Sequence, residues 1–300
     1  MSEVFCYPEN ESLVAARQRN VADALREDIG RGDWTGQLIN ARASVQAELR
    51  VREAAVLCGR AWFDDCMRTL DPDITLDWLF DEGADLAPDQ VVLRIRGNAR
   101  AVLAAERAAL NFLQLLSGTA TRTRELARLV AAATPDGHAC LVLDTRKTLP
   151  GLRQAQKYAV RVGGGANQRM ALWDGILIKE NHIAAAGGIA PALQAAAHMV
   201  AQAAPQTLDV QVEVESLDEL AQALAAGARN ILLDNFDPHL MRAAVAQTAR
   251  RAVLEASGGV NAQTIAVIAA TGVDRISVGS LTKDVRATDY SLRVVVEGTQ

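Results

Sequence analysis

ALAAGARNILLDN (223–235) and IAATGVDRISVGS (268–280) decide the fold. Each passes from an alanine-rich, helix-like stretch through glycine and a charged residue into a short apolar run. A strand with no polar alternation is buried on both faces, as in parallel sheets covered by helices. The same texture extends outward from this pair, beginning at residue 139. CLVLD (140–144), GILIK (175–179), VQVEV (210–214), NILLD (230–234), AVLEAS (252–257) and RISVG (275–279) are separated by helix-like segments. That alternation predicts a parallel α/β architecture.

The residues at the end of each run point to chemistry. Asp144-Thr145-Arg146-Lys147, Lys179-Glu180-Asn181-His182, Glu213 with Glu215, Asp234-Asn235, Ser257-Gly258-Gly259 and Gly279-Ser280 stand at successive strand ends. In a parallel α/β barrel these ends converge on the face that carries the active site. Within 144–182 seven cations stand against three acids in a chain of net charge -5. A local excess of positive charge predicts an anionic ligand, and arginine's planar fork matches carboxylate or phosphate oxygens in pairs. Arg153, Lys157 and Arg161, at helical spacing, read as a solvated helix face. Arg146, Lys147, Arg169 and Lys179 do not, because they lie near strand ends or the glycine run GGGAN (163–167).

The glycines after the last two strands, SGG (257–259) and VGS (278–280), predict a phosphate cradle of backbone N–H groups and a helix N-terminus. Glu213 and Asp234, on neighbouring strand ends, are suited to Mg²⁺, ribose hydroxyls or a developing positive charge. Glu215 and Asp218 read as solvated turn residues, and His182 as a hydrogen-bonded histidine. Asp33 and Trp34 have no partner that sequence can name. From the residues alone the site is a barrel mouth with a phosphate seat, carboxylate-binding cations and two acids, suited to moving a phosphorylated sugar onto an acidic acceptor.

The first third has a different texture. Residues 10–30 predict a helix ending at Gly30. SVQAELRV, AAVLCG, ITLDWLF and VVLRIRG, between 43 and 97, read as short strands divided by turns. RAVLAAERAALNFLQLLSG (100–118) reads as a long helix stopped by Gly118. The net charge of -5 and pI near 5.5 argue against a nucleic-acid partner. No segment reaches the roughly 20 apolar residues that span a bilayer, and the opening MSEVFCYPENES lacks the regions of a secretory signal. Cys6, Cys58, Cys66 and Cys140 form no CxxC or zinc pattern, so reduced thiols in the cytoplasm are expected.

Together ERAALNFLQLLSG (106–118), DTRKTLPGLRQAQKYAVRVGGGANQR (144–169), DGILIKENH (174–182), VEVESLDEL (212–220), LLDNF (232–236), EASGG (255–259) and SVGSLTKDV (277–285) resemble the quinolinate phosphoribosyltransferase family. DIGRGDWT (28–35) extends the resemblance toward the N-terminus. It implies an α+β sandwich-like domain, 1–118, rejoined by the tail 286–300, and an incomplete parallel α/β barrel, 119–285. It implies a homodimer, or a larger assembly of such dimers, in which the helix start at Glu106-Arg107 completes the neighbour's site. By the same resemblance Arg107, Arg146, Gln168, Arg169 and Lys179 would hold quinolinate. Lys147 would approach phosphoribosyl pyrophosphate, and Glu213 and Asp234 would serve the ribose and Mg²⁺. Ser257, Gly258, Gly279 and Lys283 would seat a phosphate.

Two positions depart from the family pattern. Gln168 stands where histidine is frequent, and a neutral amide there would keep the contact while weakening charge-assisted binding by about 1 kcal/mol. Gln211 stands where an acid is common, and no catalytic weight attaches to it. Three other readings share the observations. A paralogue on the same barrel would act on another acidic acceptor. A Schiff-base aldolase would use Lys179. A non-catalytic phosphate binder would have no need of Glu213, Asp234 and Lys147 together.

Overall fold

The computed structural model describes residues 11–203 and 208–295. Cys6 and the other residues of 1–10 lie outside it, as do 296–300 of the tail. The chain forms two compact units. One gathers the N-terminal stretch to Arg124, Thr148–Gly164 and the chain from Asp284; the other holds Glu125–Lys147 and Gly165–Lys283.

The first unit opens with helix α1 (Leu13–Ile29), capped by the Ser12 side chain and stopped at Gly30. Strands β1 (Ser44–Val51), β3 (Thr75–Trp78), β5 (Val91–Asn98) and β12 (Tyr290–Val294) make an antiparallel sheet in the order β12-β1-β5-β3. AAVLCG contributes only β2 (Ala55–Val56), paired with β4 (Asp85–Leu86), a shorter strand than its composition suggested. Between them lies α2 (Arg60–Leu70), unread in the sequence although Trp62, Phe63, Cys66 and Met67 fall at helical spacing and are buried. Leu49, Val51, Leu93 and Ile95 from the sheet join these side chains in one core.

Helix α3 (Ala99–Ala133) does not stop at Gly118 but runs through it. A Cβ at Gly118 would overlap the carbonyl oxygen of Arg286, so this glycine admits a crossing backbone and is no helix terminator. A second expectation is also overturned. Lys157, on α4 (Arg153–Val162), is only 1 % exposed, while Arg161 is exposed and Arg153 half-buried. Helical spacing gave the right period and the wrong face for Lys157. The carbonyls of Val162, the last residue of α4, and of the next residue Gly163 accept from the Arg124 guanidinium, which closes the end of the helix.

The second unit is a six-stranded, wholly parallel sheet of β6 (Leu141–Leu143), β7 (Gly175–Ile178), β8 (Asp209–Val214), β9 (Asn230–Asp234), β10 (Val253–Ser257) and β11 (Arg275–Ser277). Ladders run from β7 in chain order to β11, and β11 returns to pair with β6. The sheet thus goes once round and leaves a single seam between β6 and β7, an incomplete α/β barrel. Helices α5 (Glu180–Ala186), α6 (Ile189–Gln202), α7 (Leu217–Ala225), α8 (Pro238–Thr248), α9 (Ile265–Ala269) and α10 (Ser280–Lys283) fill the connections. Ser216 caps α7, and Asp237 with Pro238 caps α8, where orphan backbone donors need acceptors.

The seam is spanned by the segment just after GGG. Ala166 N–H donates to the Val142 carbonyl (2.8 Å), and Asp144 N–H donates to the Ala166 carbonyl (3.2 Å). Further on, the Arg169 guanidinium donates to the Gly175 carbonyl at 2.7 Å, at the start of β7. A loop therefore occupies the place of a missing strand. Among the described residues, no single helix is long and apolar enough to cross a membrane.

Candidate active site

Parallel pairing aligns the carboxyl ends of the strands, and polar side chains resume where the apolar runs stop. Lys179 follows β7, and its ammonium donates to Glu213 Oε2 near the end of β8. The Glu213 side chain is 8 % exposed, so a buried carboxylate here has a cation as its partner. Asp234 ends β9, half-buried, and accepts from the Asn235 amide (2.9 Å). Ser257 ends β10 and pairs with Asp234 in register, and its carbonyl accepts from Asn235 N–H. At Gly258 φ is +100°, and a Cβ would overlap Asn235 Oδ1. Only glycine lets the two strand ends approach so closely.

Lys147 is exposed and lies across the next strand end. A Cβ on Gly279 would stand 3.1 Å from Lys147 Cδ. Thr282 Oγ1 donates to the Lys147 carbonyl (2.7 Å), and Lys147 N–H donates to Thr145 Oγ1 (3.1 Å), which fixes the turn after β6. Lys283 lies exposed in the single turn α10, just beyond Gly279.

Arg146 and Arg169 belong to the same cluster. Burial lowers the Arg169 pKa, the nearby charge of Arg146 lowers it further, and Asp174 opposes both. Arginine stays protonated under such shifts, so both remain cations. Arg107 lies in the first unit, exposed on α3.

Gln168 is oriented inward. Its Nε2 donates to Gln211 Oε1 (2.7 Å), its Oε1 accepts Arg169 N–H (2.7 Å), and its own N–H donates to Asp144 Oδ1 (3.0 Å). Sequence reasoning gave Gln211 no role, and Asp144 and Glu255 none of their own, yet all three are buried here. Their signal was present as polar side chains interrupting apolar strands, with Gln211 two residues before Glu213 and Glu255 two before Ser257. Alternation puts each pair on one face of its strand.

His182 Nδ1 accepts Lys179 N–H (3.0 Å), a local hydrogen bond at the start of α5. Asp33 accepts Gly36 N–H in a turn (2.9 Å), and Trp34 is exposed. Asp218 and Glu219 occupy the first turn of α7. Among the described residues no group of three or more His, Cys, Asp or Glu side chains forms a metal site. A cavity of about 490 Å³ begins at the first residues of the strands, among them Gly175, Asp209 and Asn230, and reaches inward to Gln168, Arg169, Gln211 and Glu255.

The comparisons with known proteins agree along the chain. Residues 33–117 match the model of the quinolinate phosphoribosyl transferase N-terminal domain, and 119–293 match that of the C-terminal domain. The probable nicotinate-nucleotide pyrophosphorylase [carboxylating] of Bacillus subtilis is 40 % identical over 270 residues, covering 90 % of each chain. The nicotinate-nucleotide pyrophosphorylase [carboxylating] of Mycobacterium leprae is 40 % identical over 287 residues, covering 92 % of this chain and 96 % of the other. The solved nicotinate-nucleotide pyrophosphorylase of Francisella tularensis superposes with a TM-score of 0.88 at 41 % identity, covering 98 % and 100 % of the two chains.

Proposed function

The chain belongs to the quinolinate phosphoribosyltransferase family, and from that membership we infer that it transfers the phosphoribosyl group of phosphoribosyl pyrophosphate to quinolinate. The products are nicotinate mononucleotide, pyrophosphate and carbon dioxide, a step of de novo NAD biosynthesis. The observation that carries the reading is the Lys179–Glu213 pair at the ends of β7 and β8, which sets a cation suited to an acceptor carboxylate beside an acid suited to developing positive charge.

Arg146, Arg169 and Lys179 take the acceptor carboxylates, with Gln168 behind Arg169. Lys147 and the turns at Ser257, Gly258, Gly279 and Lys283 take the phosphates of the donor. As the bond from ribose C1 to pyrophosphate breaks, positive charge grows on the sugar, and Asp234 with Glu213 stabilises it electrostatically. The pyridine nitrogen bonds to C1 and becomes cationic. The carboxylate on the adjacent carbon then leaves as carbon dioxide; its electron pair stays on that carbon beside the cationic nitrogen and takes up a proton.

Lys179, paired with Glu213, is poised to exchange one carboxylate for another when the acceptor arrives. The same pairing disfavours an aldolase, which needs that amine neutral and free. Asp234, on the strand beside that of Glu213, suits an Mg²⁺ that arrives with the pyrophosphate, since among the described residues no three His, Cys, Asp or Glu side chains gather into a cage. When bound, that ion would neutralise charge on the leaving group. We further propose a homodimer, or an assembly of such dimers, in which Arg107 serves the neighbouring subunit's site, and we assign the enzyme to the cytoplasm.

The test incubates purified protein with quinolinate, phosphoribosyl pyrophosphate and Mg²⁺ and follows nicotinate mononucleotide and carbon dioxide together. Equal yields of the two are expected. Nucleotide without carbon dioxide, or neither product, would refute the assignment.

A further inference from the structure

The segment that spans the seam is tied on two sides. Just after β6, Asp144 accepts the Asn167 side-chain amide and the Gln168 backbone N–H. From β8, Gln211 accepts the Gln168 side-chain amide. Gln211 is itself anchored, since its Nε2 donates to Glu255 Oε2 on β10 (2.9 Å) and to Asn230 Oδ1 on β9 (3.1 Å). A directed chain of hydrogen bonds thus runs from Arg169 N–H to Gln168, to Gln211 and on to Glu255 and Asn230. It links the seam segment to three successive strands. Gln211 is 4 % exposed and Glu255 1 %, so solvent offers little competition for these bonds and a broken one is costly.

Both ends of the Gln168 amide are engaged inside the protein, one by Gln211 and one by the backbone of Arg169. The guanidinium it supports is fixed at its far side by the Gly175 carbonyl. We propose that Gln211 is a positioning residue for acceptor binding: it orients Gln168, and through Gln168 the backbone of Arg169, so that the Arg169 guanidinium meets an acceptor carboxylate. Gln168 then serves the acceptor through Arg169. Gln211 touches neither substrate, and its influence falls on the acid and leaves the sugar phosphate alone. This inference rests on Arg169 binding quinolinate, as argued above.

Gln211→Met keeps length and removes the hydrogen bonds, so it tests the proposal. The expected result is a rise of about tenfold in KM for quinolinate, the scale of one lost buried hydrogen bond. The kcat and the KM for phosphoribosyl pyrophosphate should stay within about twofold. The double variant Gln168→Met with Gln211→Met should be no worse than the worse single, because the two side chains act in series. Thermal melting of each variant separates loss of fold from loss of positioning. If Gln211→Met does not fold, Gln168→Met alone serves instead: it removes the same link from the other side and should raise the quinolinate KM selectively. An active wild type whose variants leave that KM unchanged, raise both KM values alike, or add in full would overturn this inference alone. A wild type inert toward quinolinate would overturn the function it rests on as well.

Discussion

Glu255 is held above its ordinary pKa of 4.5, chiefly by burial and also by the charge of Asp144. Hydrogen bonds from Gln211 and Ser277 and the charge of Arg275 oppose the shift. A carboxyl that keeps its proton more tightly when folded favours the native state fully below 4.5. That advantage is lost as pH rises from there toward the native value. Glu255→Gln should therefore gain stability over the wild type as pH goes from about 4.5 to about 8, read as a widening gap in melting temperature; a constant gap would contradict it. Asp234→Asn should lower kcat by about 100-fold while melting unchanged if Asp234 faces developing charge as proposed, because its hydrogen bond to Asn235 is a local one. Arg169→Lys should raise the quinolinate KM about tenfold, since an ammonium lacks the paired donors of the fork. That Asp234 and Lys179 stand at strand ends was legible in the sequence, because each closes an apolar run. Gln211 was not, because its partners Gln168, Asn230 and Glu255 come from three other segments of the chain.

At the scale of elements, α3 shows how a local signal misleads. A glycine after a leucine-rich run reads as a C-cap, yet Gly118 sits mid-helix against the backbone of Arg286. Gly118→Ala would gain helix propensity of roughly 1 kcal/mol and meet a rigid backbone, so the net effect should be destabilising by about 1–3 kcal/mol. Thermal or urea unfolding checks it; a stabilised variant would show that the tail moves aside. The six β/α runs were legible because a strand buried on both faces writes itself as an uninterrupted apolar stretch. Lys157 was misread because spacing gives a helix its period, whereas its buried face is chosen by packing that no local pattern records.

For the whole molecule, the matter to decide is whether one chain makes a complete site. Arg107 belongs to the first compact unit and the acids to the second. If neighbours share sites, co-expressing Arg107→Ala with Asp234→Asn subunits should restore about a quarter of wild-type activity, through mixed dimers with one intact site. Recovery absent from dimers shown to be mixed would place each site within one chain. In the second unit Lys179, Asp234 and Ser257 stand at or just after the ends of laddered strands, while Gln168 and Arg169 ride a loop joined to β6 by one isolated bridge and to Asp144, Gln211 and Gly175 by side-chain bonds. A ladder of peptide groups tolerates almost any side chain, but a stave lashed by side chains holds only while its knots keep their chemistry. A change at Asp144 or Gln211 would therefore reach the loop and leave the rest of the sheet in register.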